Sequence, residues 1–159
     1  GENLLHYLTG VSSVSIIKFA LEKLKKELPY EDFQSFIKLK NKYDENFLHC
    51  AASVYRFEDR DKESLDFFVN FIKNEFGSEE VKKMLMEQDR WNSLPLHCAI
   101  KGRWFNNFEA FFLLYEKFLD FDELKALLNK SSHSDIKYLM RGKENYFKYY
   151  LGVGDGNSM

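Results

Sequence analysis

Apolar residues return every three or four positions through most of this chain. Ile17, Leu21, Leu24 and Leu28 open the pattern, Leu65, Val69, Ile72 and Phe76 repeat it, and Phe108, Phe112, Tyr115 and Leu119 repeat it again. That spacing gathers apolar side chains on one face of a helix and predicts helices over residues 14–28, 63–76 and 107–119. Pro29, Gly77 and Asp120 interrupt the three copies at or near one place. Pro suits a first helical turn and Gly a helix end, so a second helix is expected after each, over 30–39, 78–87 and 121–128. A polar stretch then follows in every copy: Asn-Lys-Tyr-Asp-Glu-Asn from 41, Asp-Arg-Trp-Asn-Ser from 89, and Ser-Ser-His-Ser-Asp from 131. Such side chains bond to nearby backbone and favour turns, so these read as hairpin-like connectors. No segment alternates with period two convincingly enough to predict a strand, and the fold class is all-α.

The copies also share a short signature. Leu-His occurs at Leu5-His6, Leu48-His49 and Leu96-His97, and Ala51 and Ala99 lie two residues beyond the last two histidines. The histidines are 43 and then 48 residues apart, and the apolar skeleton between them recurs in the same register. The five additional residues of the second copy fall between His49 and Leu65, with Glu58-Asp59-Arg60-Asp61-Lys62 the obvious place. Carrying the register on predicts a fourth copy, degenerate or a cap, with Leu139-Met140 in the Leu-His place and Gly142 in the Ala place. The units are thus about 1–40, 41–88 and 89–131, a fourth or cap at 132–151, and a flexible tail at 152–159. Each has three helical pieces, a short one bearing the signature and two longer ones. One unit cannot bury its apolar stripe alone, so neighbours must stack.

This pattern resembles the ankyrin repeat, whose consensus runs Asp, two variable residues, Gly, one variable residue, Thr-Pro-Leu-His, one variable residue, Ala-Ala. In the third copy Asp89 takes the Asp place, Asn92 the Gly place, Pro95-Leu96-His97 the core and Ala99 the first Ala. In the second copy Asn41, Asp44 and Asn46 replace Asp, Gly and Thr, ahead of Leu48-His49 and Ala51-Ala52. In the first, Gly1 and Asn3 precede Leu5-His6. The resemblance spans nearly the whole chain through Gly142. It departs from the family in period, since the units exceed the usual ~33 residues by about one short helix. HEAT and armadillo repeats share the longer period, but nothing in them demands a phased Leu-His-x-Ala.

The resemblance implies a repeat solenoid that binds a protein through hairpin tips and the outer ends of its short helices. Carried over by position, the tip residues are Lys42, Tyr43, Glu45, Arg90, Trp91 and Ser93. The helix-end residues are Ser53 and Lys101, continued by Arg103 and Trp104. Tyr, Trp and Arg dominate binding hot spots. The competing expectation for Tyr43 and Trp91 is that each ring packs on the neighbouring turn. Cys50 and Cys98 follow the histidines at a position that faces the core in the family, which implies buried, inert thiols. An alternative role is that of a structural spacer in a channel, a scaffold or an effector delivered into a host cell, with any activity outside this chain, which is expected to be a fragment.

Composition narrows the function further. A 45% hydrophobic, 17% aromatic chain can bury a real core, and its bulky apolar residues suit interlocking helices. The formal net charge of -2 and the dilution of Lys23, Lys25 and Lys26 by Glu22 and Glu27 argue against a nucleic-acid partner. No apolar run approaches the roughly 18 residues of a membrane span. Two Cys without a secretory pattern suit reduced thiols in cytoplasm or nucleus, host cytoplasm included for a delivered effector. The recurrent His invites a metal or catalytic reading, but successive repeats stand about 8–10 Å apart. Zinc needs ligands about 2 Å from one ion. The expected role of the imidazole is to bond the turn of its own or the next repeat. The Gly-Val-Gly-Asp-Gly run from 152 lacks the Lys and flanking elements of a phosphate loop. His133 among Ser131, Ser132 and Ser134 reads as turn chemistry. No enzyme activity, cofactor, metal or small-molecule substrate is expected, and the chain is read as a monomer.

Overall fold

The computed structural model describes residues 13–54 and 57–143. The described residues are 71% helical and contain no strand. Nine helices follow one another among them: α1 (Val14–Glu27), α2 (Tyr30–Ile37), α3 (Phe47–Ala52), α4 (Asp59–Phe76), α5 (Ser78–Leu85), α6 (Pro95–Lys101), α7 (Phe105–Phe118), α8 (Phe121–Asn129) and α9 (His133–Leu139). The chain is all-α, and short, long and medium helices succeed each other in a fixed order. His6 and the first Leu-His segment lie outside the described residues, as does everything after Lys143.

Each helix end has a local cause. Pro29 precedes α2, and Gly77 at φ 96° makes the sharp break between α4 and α5 that a side-chain-bearing residue would resist. Asp120 caps α8 by accepting the Glu123 N–H at 2.8 Å, and Glu123 returns the bond to the Asp120 N–H at 3.1 Å. The polar run at 58–62, the expected place of the additional residues, holds the N-cap and first turn of α4, so the helix begins at Asp59 and not at the expected residue 63. The Asp61 carboxylate accepts the Glu58 N–H at 2.8 Å, and Asp59 and Asp61 lie in the first turn, where negative charge suits the helix dipole. Consequently α4 has 18 residues where α1 and α7 have 14. Most of the longer spacing of the second copy is extra helix.

The short helices pack side by side, α3 on α6 and α6 on α9; α1 packs on α4, α4 on α5, and α7 against α5, α6 and α8. A continuous core runs through the contacts: Ile17, Leu21, Phe33, Leu48, Phe68, Leu96, Phe108, Phe111 and Tyr115 are all buried. Phe47 stacks on Phe68 with centroids 4.3 Å apart. Ion pairs Lys38–Glu80 and Lys82–Glu123 join α2 to α5 and α5 to α8 in turn. Half-buried pairs still open to solvent, like these, contribute little each, so apolar burial carries the stability.

The continued register fails at the C-terminal end. Leu139 closes α9 and Met140 is its C-cap, whereas Leu48 and Leu96 sit in the first turns of α3 and α6. The connector from 131 is correspondingly no hairpin: only Lys130 to Ser132 separate α8 from α9. The physical reason is the missing Asn or Asp at its head, whose side chain organises the other two turns. Ser132 is the N-cap residue of α9 and His133 its first residue.

Candidate partner-binding surface

The first two connectors are the same object built twice. In the first, Asn41 Oδ1 accepts the N–H groups of Tyr43 at 2.9 Å and Glu45 at 3.0 Å. The Asn41 N–H donates to the Glu45 carbonyl at 2.9 Å and the Asp44 N–H to the Asn41 carbonyl at 3.0 Å. In the second, Asp89 Oδ1 accepts from Trp91 at 2.8 Å and Ser93 at 2.9 Å. Its N–H donates to the Ser93 carbonyl at 2.9 Å, and the Asn92 N–H donates to the Asp89 carbonyl at 3.0 Å. Asp44 and Asn92 take φ of 59° and 61°, a left-handed conformation that Asn and Asp tolerate better than other side-chain-bearing residues. One buried Asn or Asp therefore organises each five-residue tip.

The tips are joined to each other and to the helices behind them. The Arg90 N–H donates to the Tyr43 carbonyl at 2.8 Å. His49 Nδ1 lies 3.2 Å from the Asn46 N–H nitrogen, and its Nε2 2.9 Å from the Ser93 carbonyl. His97 repeats this with the Leu94 N–H at 3.3 Å and the Leu127 carbonyl at 3.1 Å. Accepting at Nδ1 and donating from Nε2 is the work of a neutral imidazole. His49 thus bonds both its own turn and the next unit, whereas His97 bonds its own turn and α8 of its own unit. Asn46 adds to this, with Oδ1 accepting from Leu48 and His49 while Nδ2 donates to the Met84 carbonyl. No group of three His, Cys, Asp or Glu stands together to hold a metal among the described residues.

Burial, foremost, holds both histidines below their usual pKa, against the opposing effect of the carbonyl bond each makes. The native state therefore binds fewer protons here than the unfolded chain once pH drops below the ordinary value of 6.5. The stability this supplies is complete above 6.5 and is lost as pH falls through the depressed native pKa. The urea midpoint is expected to hold between pH 8 and 7 and to fall between pH 6.5 and 5. A midpoint that stays level or rises across that lower window would show that the imidazoles are not buried neutral.

Tyr43 and Trp91 stack on each other, centroids 5.6 Å apart and planes at 28°, with Lys42 Nζ 5.0 Å from the Tyr43 centroid. Each ring packs on the neighbouring tip, yet Trp91 remains 58% exposed. Between the tips and the ends of α3 and α6 lies a concavity of about 430 Å³, lined by Glu45, Ser53, Asp89, Trp91, Cys98, Lys101 and Gly102. It unites four residues that the resemblance pointed to: Glu45, Ser53, Trp91 and Lys101. Lys42 and Arg90 are exposed on the tips.

Three of the candidate residues, and the two thiols, are placed otherwise than expected. Ser93 is only 4% exposed; its N–H, carbonyl and hydroxyl serve Asp89, His49 and Lys101, so it builds the tip and presents nothing. Arg103 turns away to α9, where its Nε is 2.6 Å from Asp135 Oδ1 and its guanidinium lies over Tyr138 at 5.1 Å. Trp104 is exposed as the residue preceding α7, and does not line the concavity. The thiols are half-buried beside the tips, and Cys98 also packs against the core. Asn41 Nδ2 approaches Cys50 Sγ at 4.0 Å, and Cys98 Sγ donates to Asp89 Oδ2 at 3.7 Å. Burial and then the Asp89 and Glu45 carboxylates push the Cys98 pKa up to about 12, which keeps the thiol protonated and a poor nucleophile. Cys98 and Asp89 as lining residues were not foreseen; their shared spacing with Cys50 and Asn41 is the signal that could have found them.

No helix among the described residues is long and apolar enough to cross a membrane. No family model, curated protein or solved structure matches this chain.

Proposed function

We propose that the chain is an ankyrin-type repeat stack and that its work is to hold a protein partner at the two hairpin tips. The observation that carries this reading is the pair of equivalent tips, bonded through Arg90 N–H and the Tyr43 carbonyl, which present stacked Tyr43 and Trp91 beside an open concavity. Stacking and the backbone bond fix the aromatic surface before a partner arrives, so less conformational entropy is lost on binding. The strip mixes aromatic area with Lys42, Arg90 and Lys101 on one side of the charge balance and Glu45 on the other. A folded protein surface or peptide answers that mixture better than a phosphate backbone does. The phased Leu-His units, the His49 bond to the next unit and the side-by-side short helices all support the ankyrin reading.

The experiment is capture of partners on the immobilised chain, followed by calorimetric titration of each captured protein. Trp91→Ala is expected to weaken binding by about 2 kcal/mol or more, as truncation of a hot-spot aromatic does, with an unchanged helical spectrum. Lys25→Ala, in α1 and outside the lining of the concavity, is expected to leave it alone. Partners that bind Trp91→Ala with full affinity, or that map to Lys18, Glu22 and Lys25, would remove the tip surface from its proposed role.

A further inference from the structure

The first tip is covered by the second, but the second tip has no third tip against it. Where one would stand, α8 ends and α9 begins after a tight turn, and His97 reaches a helix carbonyl, that of Leu127, instead of a hairpin. The gap is a groove of about 360 Å³ that shares Trp91 and Lys101 with the tip concavity. Its apolar lining comes from Trp91, Met86, Ile100 and Leu127, and Met86 and Trp91 are both exposed. Its charge is one-sided: Lys101 and Lys130 line it, and no carboxylate does among the described residues, although the chain as a whole carries a net charge of -2.

We propose that this groove receives an acidic peptide segment of the protein partner, seating one bulky apolar side chain against Trp91 and Met86 and its neighbouring carboxylates on Lys101 and Lys130. The proposal rests on the partner-binding reading and specifies the chemistry of what is bound. Both His97 nitrogens are engaged, by the Leu94 N–H and the Leu127 carbonyl, so the imidazole is part of the wall and recognition falls to the lysines. The same two lysines line the groove with His97, and each lowers the histidine's pKa after the larger effects of burial and the Leu127 bond. An apolar lining suits a peptide side chain, and two cations match a pair of carboxylates. A nucleic-acid strand would call for a longer track of cations, since phosphate contacts dominate such interfaces.

Panning a phage-displayed library of random dodecapeptides on the intact chain, then measuring labelled synthetic versions by fluorescence anisotropy, tests this. Enriched sequences are expected to place a large apolar residue within two positions of Asp or Glu. Their affinity is expected to fall at least tenfold on the double change Lys101→Glu, Lys130→Glu, and to fall as salt is raised, with the helical spectrum of the variant intact. Peptides without acidic bias, or acidic peptides that bind the double variant equally well, would overturn the proposal. So would an enrichment of nothing, a thymidine 18-mer that outcompetes the peptides in this groove, or self-association abolished by the same double change. Peptides lost on Tyr43→Ala but indifferent to the charge reversal would sink the acidic groove while leaving the tip surface as the binding site.

Discussion

Leu48→Ala is expected to lower the stability of the chain by about 2–5 kcal/mol, the range for emptying a packed leucine site. Leu48 is 1% exposed and lies in α3, which packs on α6 and α7. Part of the loss is transfer of apolar atoms back to water, and part is the cavity left where neighbouring helices meet. The lesion is in the second unit, but its effect should be read in the third, because each unit is supported mainly by its neighbours. Trp104, just ahead of α7, is the natural reporter in a Trp91→Phe background. Its urea midpoint should drop with Leu48→Ala in step with the helical signal. A Trp104 transition unmoved by the substitution would mean that the units unfold independently, or that Leu48 does not bear on the junction.

Tyr115→Phe is the second large effect, about 2–6 kcal/mol, because removing one oxygen strands two buried backbone groups at about 1–3 kcal/mol each. The Tyr115 hydroxyl donates to the Leu85 carbonyl at 2.6 Å and accepts the Leu96 N–H at 3.1 Å. Its role follows from a gap in the sequence. In α3 the equivalent N–H, that of Leu48, is taken by the Asn46 side chain, whereas α6 has Leu94 at that place, which offers no acceptor. Tyr115 reaches in from α7 and supplies the missing cap, tying the end of α5 to the start of α6 as it does so. Burial raises its own pKa, so it remains a phenol throughout the working range. Urea denaturation compares the two proteins, and Tyr115→Phe with an unshifted midpoint would show that water satisfies both groups. Leu94→Asn in the Tyr115→Phe background is expected to recover part of the loss, since an asparagine there can cap as Asn46 does.

The extent of each helix was largely legible from spacing and punctuation. Ile17, Leu21 and Leu24 announce α1, and Pro29, Gly77 and Asp120 mark the breaks, because helix periodicity and capping are local matters. The start of α4 was set four residues too late, because a dense run of charge hides the helix start that Asp59 and Asp61 favour. The tips were legible as turns, and Asn41 and Asp89 as their heads. Arg103 was not, because its fate depends on Asp135 and Tyr138 of a helix whose position no local pattern states. Ser93 was misjudged for a related reason: a serine in a polar connector looks exposed until the histidine and lysine that occupy it are in place.

Two levels of cause therefore meet in this protein. The helical state, the recurrence of the units and the Asn or Asp at the head of each of two matching turns depend on interactions a few residues apart, and could be read along the chain. Which turn side chains face outward, which aromatic rings stack, that a tyrosine stands in for an absent cap, and that the third connector leaves a basic groove beside Trp91 became legible only once the helices were packed. Those outcomes join residues some 19 to 48 positions apart, as in Leu96 with Tyr115 and Tyr43 with Trp91. They are settled by the packing of whole helices, in which one buried polar group left without a partner costs as much as several favourable local choices contribute.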